Sequence, residues 1–179
     1  GNECMDSNKF SLILGSQSPR RKELLGWLNT SFSIMTADLD EVSLESDPEE
    51  IAMDIAAQKA HAVYQKAKEQ EITNPFIISS DTIVVLDGKI YGKPQDRNQA
   101  REILYELSDR THQVITGVCF YFKDSHSLKM REHRFYDLTE VTFSKISEDL
   151  MENYLETNDS LDKAGAYGIQ GPSLTFISS

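Results

Sequence analysis

The sequence predicts an α/β protein with a mixed sheet. Short apolar runs alternate with helix signals through the first hundred residues, and a longer β-rich stretch follows. The chain has 179 residues, enough for one ordinary domain with a substantial core. Its apolar content of 39% and charged content of 26% are those of a globular protein.

The elements read in order. Phe10–Leu14 (FSLIL) is a short apolar run closed by Gly15, read as a buried strand. Ser18-Pro19 reads as an N-cap followed by proline at the first helical position, and Leu24, Leu25 and Leu28 share one side of the helix. Ser33–Thr36 is read as a second strand. Asp47-Pro48-Glu49-Glu50 supplies a cap, a proline and a box glutamate, so a helix is expected from there to about Gln70.

Phe76–Ile78 and Ile83–Leu86 are read as two strands, the second turning at Asp87-Gly88. Asp96 and Gln99 form a capping-box pair. Ala100, Ile103, Leu104 and Leu107 follow at i, i+3, i+4 and i+7, an amphipathic helix. His112–Phe122 and Phe135–Phe143 are β-rich and are expected to pair through a polar turn near Asp124. Ser147 opens a last helix bearing Leu150, Met151, Tyr154 and Leu155. The chain then reaches a glycine-rich loop, AGAYGIQG.

Charge and cysteine usage exclude several classes. The formal net charge is −11. That argues against nucleic-acid binding, which rests on basic surface, and against attraction to anionic membranes. Cys4 and Cys119 have no metal-ligand spacing, so zinc is not expected, and the usage fits a reducing cytoplasm. No apolar run reaches about 18 residues, and the N-terminus lacks the pattern of a signal peptide. Residues 1–9 are expected to be a flexible extension, with Met5 as the native start, before a single domain that makes up the rest of residues 1–179.

Six places carry candidate chemistry. In GSQSPRR, a glycine turn and small hydroxyls lead to a helix N-terminus, where backbone N–H groups favour an anion. Arg20 and Arg21 sit there against the helix dipole, and a bound phosphate would reverse that cost. A solvated first turn is the plainer alternative. Asp81 interrupts the apolar stretch FIISSDTIVVLDG. An unpaired buried carboxylate is costly, so it is expected at a strand end or bulge with a cation partner, or in a turn between two strands.

Lys59 lies on the apolar face of its helix with Ala52, Ala56 and Val63. It can snorkel to water or reach into a polar cavity. Glu41 follows a strand in Asp38-Leu39-Asp40-Glu41 and Lys93 ends a hairpin. Either can be simply solvated. Gln170 lies between glycines, where its amide can read a base edge or merely sit in a turn. No GxSxG elbow and no histidine spacing for a triad occurs. His112 is read as structural.

Together GSQSPRRKELL, DLDE, AAQKA, SSDTIVVLDGKIYGKP, ILYELSDRTHQVITGV and LDKAGAYGIQG resemble the Maf (septum-formation-like) nucleotide pyrophosphatases. The ordered set runs from about Leu14 to Gly171. The resemblance implies an elongated mixed sheet flanked by helices, with two lobes around a central cleft. It implies cleavage of a nucleoside triphosphate between its α and β phosphates. The YGIQG ending is similar to the branch acting on dTTP and UTP.

By that resemblance Asp81 is the catalytic aspartate and proton acceptor for water. Lys59 and Lys93 assist it by stabilising phosphate charge, as does Arg21. Ser16, Arg20, Arg21, Thr82 and Gln170 bind substrate, with Arg20, Thr82 and Gln170 governing its choice. Glu41 and Asp81 are the implied ligands of Mg²⁺ or Mn²⁺. A cytoplasmic homodimer is also implied.

Three departures from the family pattern stand out. Ser80 replaces a usual alanine, Asp109 replaces a usual glycine, and the pattern continues past Ser179 with a strand, a glycine-bearing loop and a helix. The expected alternatives to hydrolysis are a non-catalytic nucleotide-binding regulator of cell division and a transferase with a second substrate.

Overall fold

A computed structural model describes residues 9–15 and 31–156 of the chain. Within them lie six strands and three helices: β1 (Ser11–Leu14), β2 (Ser33–Ile34), α1 (Pro48–Glu69), β3 (Pro75–Leu86), β4 (Lys89–Tyr91), α2 (Arg97–Leu107), β5 (Thr111–Lys123), β6 (Met130–Thr142) and α3 (Glu148–Leu155). The predicted α/β class and mixed sheet are present. The strand order is β2-β1-β3-β5-β6, with β4 paired on β3. β1 runs parallel to both β2 and β3, and β4 is antiparallel to β3. The helix expected after Pro19 and the AGAYGIQG loop lie outside the described residues.

The chain forms two compact units, Gly1–Asp81 with Gly117–Tyr136, and Thr82–Thr116 with Asp137–Ser179. In the first, α1 packs an alanine face. Ala56, Ala57, Ala60, Val63 and Ala67 join Ile13, Ile77 and Cys119 in one buried cluster. Small side chains let the helix approach the sheet closely, and Gly117 shows how closely. A Cβ on Gly117 would lie 2.3 Å from the Ala52 carbonyl carbon. In the second unit, Ile103, Leu104 and Leu107 of α2 pack with Val84, Leu86, Phe143, Met151 and Leu155. The 3.6-residue periodicity read from the sequence is the face that α2 buries.

Four local expectations are corrected. The two strands expected around Asp81 are one continuous strand, β3, with Asp81 in its middle. β6 begins at Met130 rather than at Phe135. Its first residues, MREHR, are exposed and, after Met130, all polar, so they carry no apolar alternation to read. At the start of α1, Asp47 has an extended backbone and Pro48 follows, but the Asp47 side chain makes no capping hydrogen bond. The box at α2 is half formed: Asp96 accepts from the Gln99 N–H at 2.8 Å. Gln99 Oε1 accepts instead from the Gln95 N–H.

The turn between β5 and β6 is built on Asp124. Its carboxylate accepts from the N–H groups of His126 and Ser127, and these bonds hold its pKa below the ordinary value. The Asp109 turn, where glycine is usual in the family, has φ 57°. Aspartate therefore occupies the left-handed region that glycine takes most readily.

Candidate functional site

Lys59 leaves α1 about half-way along its length. Its ammonium lies 3.0 Å from Asp81 Oδ1 and 3.2 Å from Glu41 Oε1. It also lies 3.4 Å from the Ser80 carbonyl oxygen. Three segments thus converge on one nitrogen: the loop after β2, the centre of α1 and the centre of β3. The side chains of Lys59 and Asp81 are only 19% and 12% exposed, whereas Glu41 is 43% exposed. This resolves the two sequence puzzles together. Asp81 can interrupt an apolar strand because Lys59 supplies its countercharge, and Lys59 can sit on an apolar face because two carboxylates receive it.

The surroundings of the triad are small. Ser79 and Ser80 are buried beside Asp81 in β3. Their hydroxyls find no hydrogen-bond partner among the described residues. Ser79 takes the space that a Cβ on Gly15 would need, with its Oγ 2.2 Å from that position. A side chain on Gly15, just after β1, would therefore have to displace the Ser79 hydroxyl.

Within the second unit, Thr82 Oγ1 lies 3.0 Å from Thr116 Oγ1. Lys93 follows β4 and lines a depression of about 180 Å³ with Lys89, Tyr91, Gln99, Glu102 and Glu106. Tyr91 donates to Glu106, and Lys89 lies 3.1 Å from the same carboxylate. Burial and then the Glu106 hydrogen bond push the Tyr91 phenol up to about 12. The hydrogen bonds from Tyr91 and Lys89 hold Glu106 below the ordinary carboxylate range. Ser16, Arg20, Arg21 and Gln170 lie outside the described residues.

Among the described residues, no group of three or more His, Cys, Asp or Glu side chains is arranged to hold a metal. The donor chemistry nevertheless suits Mg²⁺. Glu41 and Asp81 are hard oxygen donors that already share one cation, the Lys59 ammonium. Magnesium commonly takes one or two carboxylates and completes its shell with water and substrate phosphate. No described helix is long and apolar enough to cross a membrane.

The sequence reading leaves out the Ser80 carbonyl, because a backbone acceptor has no residue signature. It also leaves out Ser43, Asp54 and Gln58. The spacing of four between Asp54 and Gln58, immediately before Lys59, is the signal that marks them.

Comparison with known proteins places the chain in a family. Residues 11–179 match the family model described as Maf-like protein. A protein of Bacillus velezensis named dTTP/UTP pyrophosphatase is 46% identical over 167 residues, covering 93% of this chain and 82% of its own. Proteins of the same name from Porphyromonas gingivalis and Lachnoclostridium phytofermentans are 43% and 39% identical. Those alignments cover 90% of this chain in both cases, and 78% and 80% of the relatives. With its motifs, its mixed sheet and these matches in agreement, the chain belongs to the Maf-like protein family.

Proposed function

We propose that this protein is a nucleoside triphosphate pyrophosphatase that hydrolyses dTTP and UTP to the monophosphate and pyrophosphate. The observation that carries the reading is the Lys59 ammonium held between Glu41 and Asp81. The names of relatives that align with nine-tenths of the chain supply the substrate class.

The chemistry follows from the charges. A water oxygen attacks the α phosphorus and the bond to the α,β-bridging oxygen breaks. Pyrophosphate leaves with that oxygen. Asp81 accepts the proton of the attacking water. Its place in a strand, with little exposure, fixes the direction in which it presents its oxygens. Lys59 offers a positive charge beside it for the phosphate oxygens, and Lys93 and Arg21 are assigned the same task. Arg20, Thr82 and Gln170 govern substrate choice, and Ser16 binds substrate, on the family resemblance. Glu41 and Asp81 would hold Mg²⁺ or Mn²⁺, which when bound neutralises phosphate charge and polarises the reacting oxygens.

The same reading places the enzyme in the cytoplasm, on its cysteine usage, and as a homodimer, on the resemblance. A pyrophosphate-release assay across a nucleotide panel with Mg²⁺ or Mn²⁺ tests it. Release from dTTP and UTP above the other nucleotides is expected, and Arg20→Ala should change the ranking. Nucleotide binding without release would favour the non-catalytic regulator instead.

A further inference from the structure

The Glu41 carboxylate reaches Lys59 from a loop that packs on the core at Met35 and Ala37 but has little apolar packing beyond Glu41. Residues 35–46 form neither helix nor strand. Leu39, before Glu41, is partly buried, whereas the apolar side chains after it are not: Val42 is 66% exposed and Leu44 fully so. Burial of apolar surface, the usual source of loop order, is missing on the C-terminal side of Glu41.

Polar contacts take its place. Gln58 Nε2 donates to the Val42 carbonyl at 2.8 Å and to Asp54 Oδ2 at 3.2 Å. Both hydrogens of that amide nitrogen are thereby used. Ser43 Oγ donates to the same Asp54 oxygen at 2.6 Å and accepts from the Glu45 N–H at 3.1 Å. The other Asp54 oxygen lies 3.9 Å from Arg134 Nη1. The two gripped residues, Val42 and Ser43, directly follow Glu41. The two gripping residues, Asp54 and Gln58, lie one helical turn apart on α1, and Gln58 directly precedes Lys59.

We propose that Ser43, Asp54 and Gln58 are positioning residues: they clamp the loop to α1 and so deliver the Glu41 carboxylate to Lys59. Glu41 and Lys59 then hold a fixed separation because both are referred to the same helix. The importance of the clamp for turnover rests on the proposed pyrophosphatase reading; its effect on the loop does not.

The experiment has two arms on the full chain. Amide hydrogen exchange reads Val42 and Glu45, whose N–H groups are bonded to the Asp40 carbonyl and to Ser43 Oγ. Gln58→Leu and Asp54→Ala should each speed their exchange about tenfold or more while residues 51–66 of α1 stay protected. Asp54→Asn, which keeps an acceptor for Ser43, should restore slow exchange. In the second arm, each disruptive variant should lower kcat/KM for dTTP or UTP about tenfold, the scale of losing a supporting hydrogen-bond shell. Made in a Glu41→Gln background, the same changes should cost less than about twofold, because the clamp acts through Glu41.

Unchanged exchange in the folded variants overturns the clamp. An undiminished loss in the Glu41→Gln background overturns its action through Glu41. Absence of pyrophosphate release from the unaltered protein would sink the pyrophosphatase reading alone, and the exchange arm would still decide the clamp.

Discussion

Lys59 Nζ lies 3.0 Å from Asp81 Oδ1, tying the centre of α1 to the centre of β3. The pair is mostly shielded from water, so its two members are not independent. A charge left alone in such a place costs more than the intact pair contributes.

Lys59→Met should therefore destabilise the protein by about 2 kcal/mol, less than the full cost of breaking a deeply buried pair, because the ammonium is partly solvated. Adding Asp81→Asn should recover part of that loss, since the carboxylate that lost the Lys59 ammonium is gone. Urea unfolding of the two variants checks the order. A double variant less stable than Lys59→Met would show that the pair is not the source of the cost.

The approach of α1 to β5 depends on Gly117. A methyl group there would meet the backbone of Ala52 at 2.3 Å, and backbone cannot rotate away as a side-chain tip can. Gly117→Ala should cost about 2 to 3 kcal/mol through overpacking. Denaturant midpoints read this directly, and a loss below about 0.5 kcal/mol would contradict the close approach.

His112 is buried at the start of β5, edge-on to Phe143. Burial pushes its pKa down from 6.5 to about 4. Folding therefore favours the neutral ring. Its contribution is present above pH 6.5 and is lost as pH falls through 6.5 towards 4, reaching about 3 kcal/mol at most. His112→Gln should flatten the fall in stability over that window relative to the unaltered protein. Parallel slopes from pH 7 to 4 would show that the histidine does not titrate in this way.

Much of the scaffold was legible in local patterns. α2 announces itself through Ala100, Ile103, Leu104 and Leu107, all buried in the folded protein. α1 was legible from its start signal at Asp47-Pro48-Glu49-Glu50, although Asp47 does not cap it. β3 was not legible as one strand, because Asp81 breaks the apolar run that defines a strand in sequence. What permits Asp81 there is Lys59, 22 residues earlier, and no local pattern encodes such a pairing. The same holds for Glu41: a charged residue in a loop looks solvated until a partner 18 positions away is in place. The motif resemblance supplied what periodicity could not. It named Glu41, Lys59 and Asp81 among nine site residues, and the structure brings these three side chains to one point.

The most direct test of the proposed function is pyrophosphate release from dTTP and UTP by the unaltered protein and by Asp81→Asn, with folding checked by thermal melting. The substitution keeps the shape of the side chain and removes its capacity to accept a proton. The account predicts release by the unaltered protein and a fall of about 10³-fold in kcat for the folded variant. Turnover by Asp81→Asn within a few-fold of the unaltered rate would contradict it.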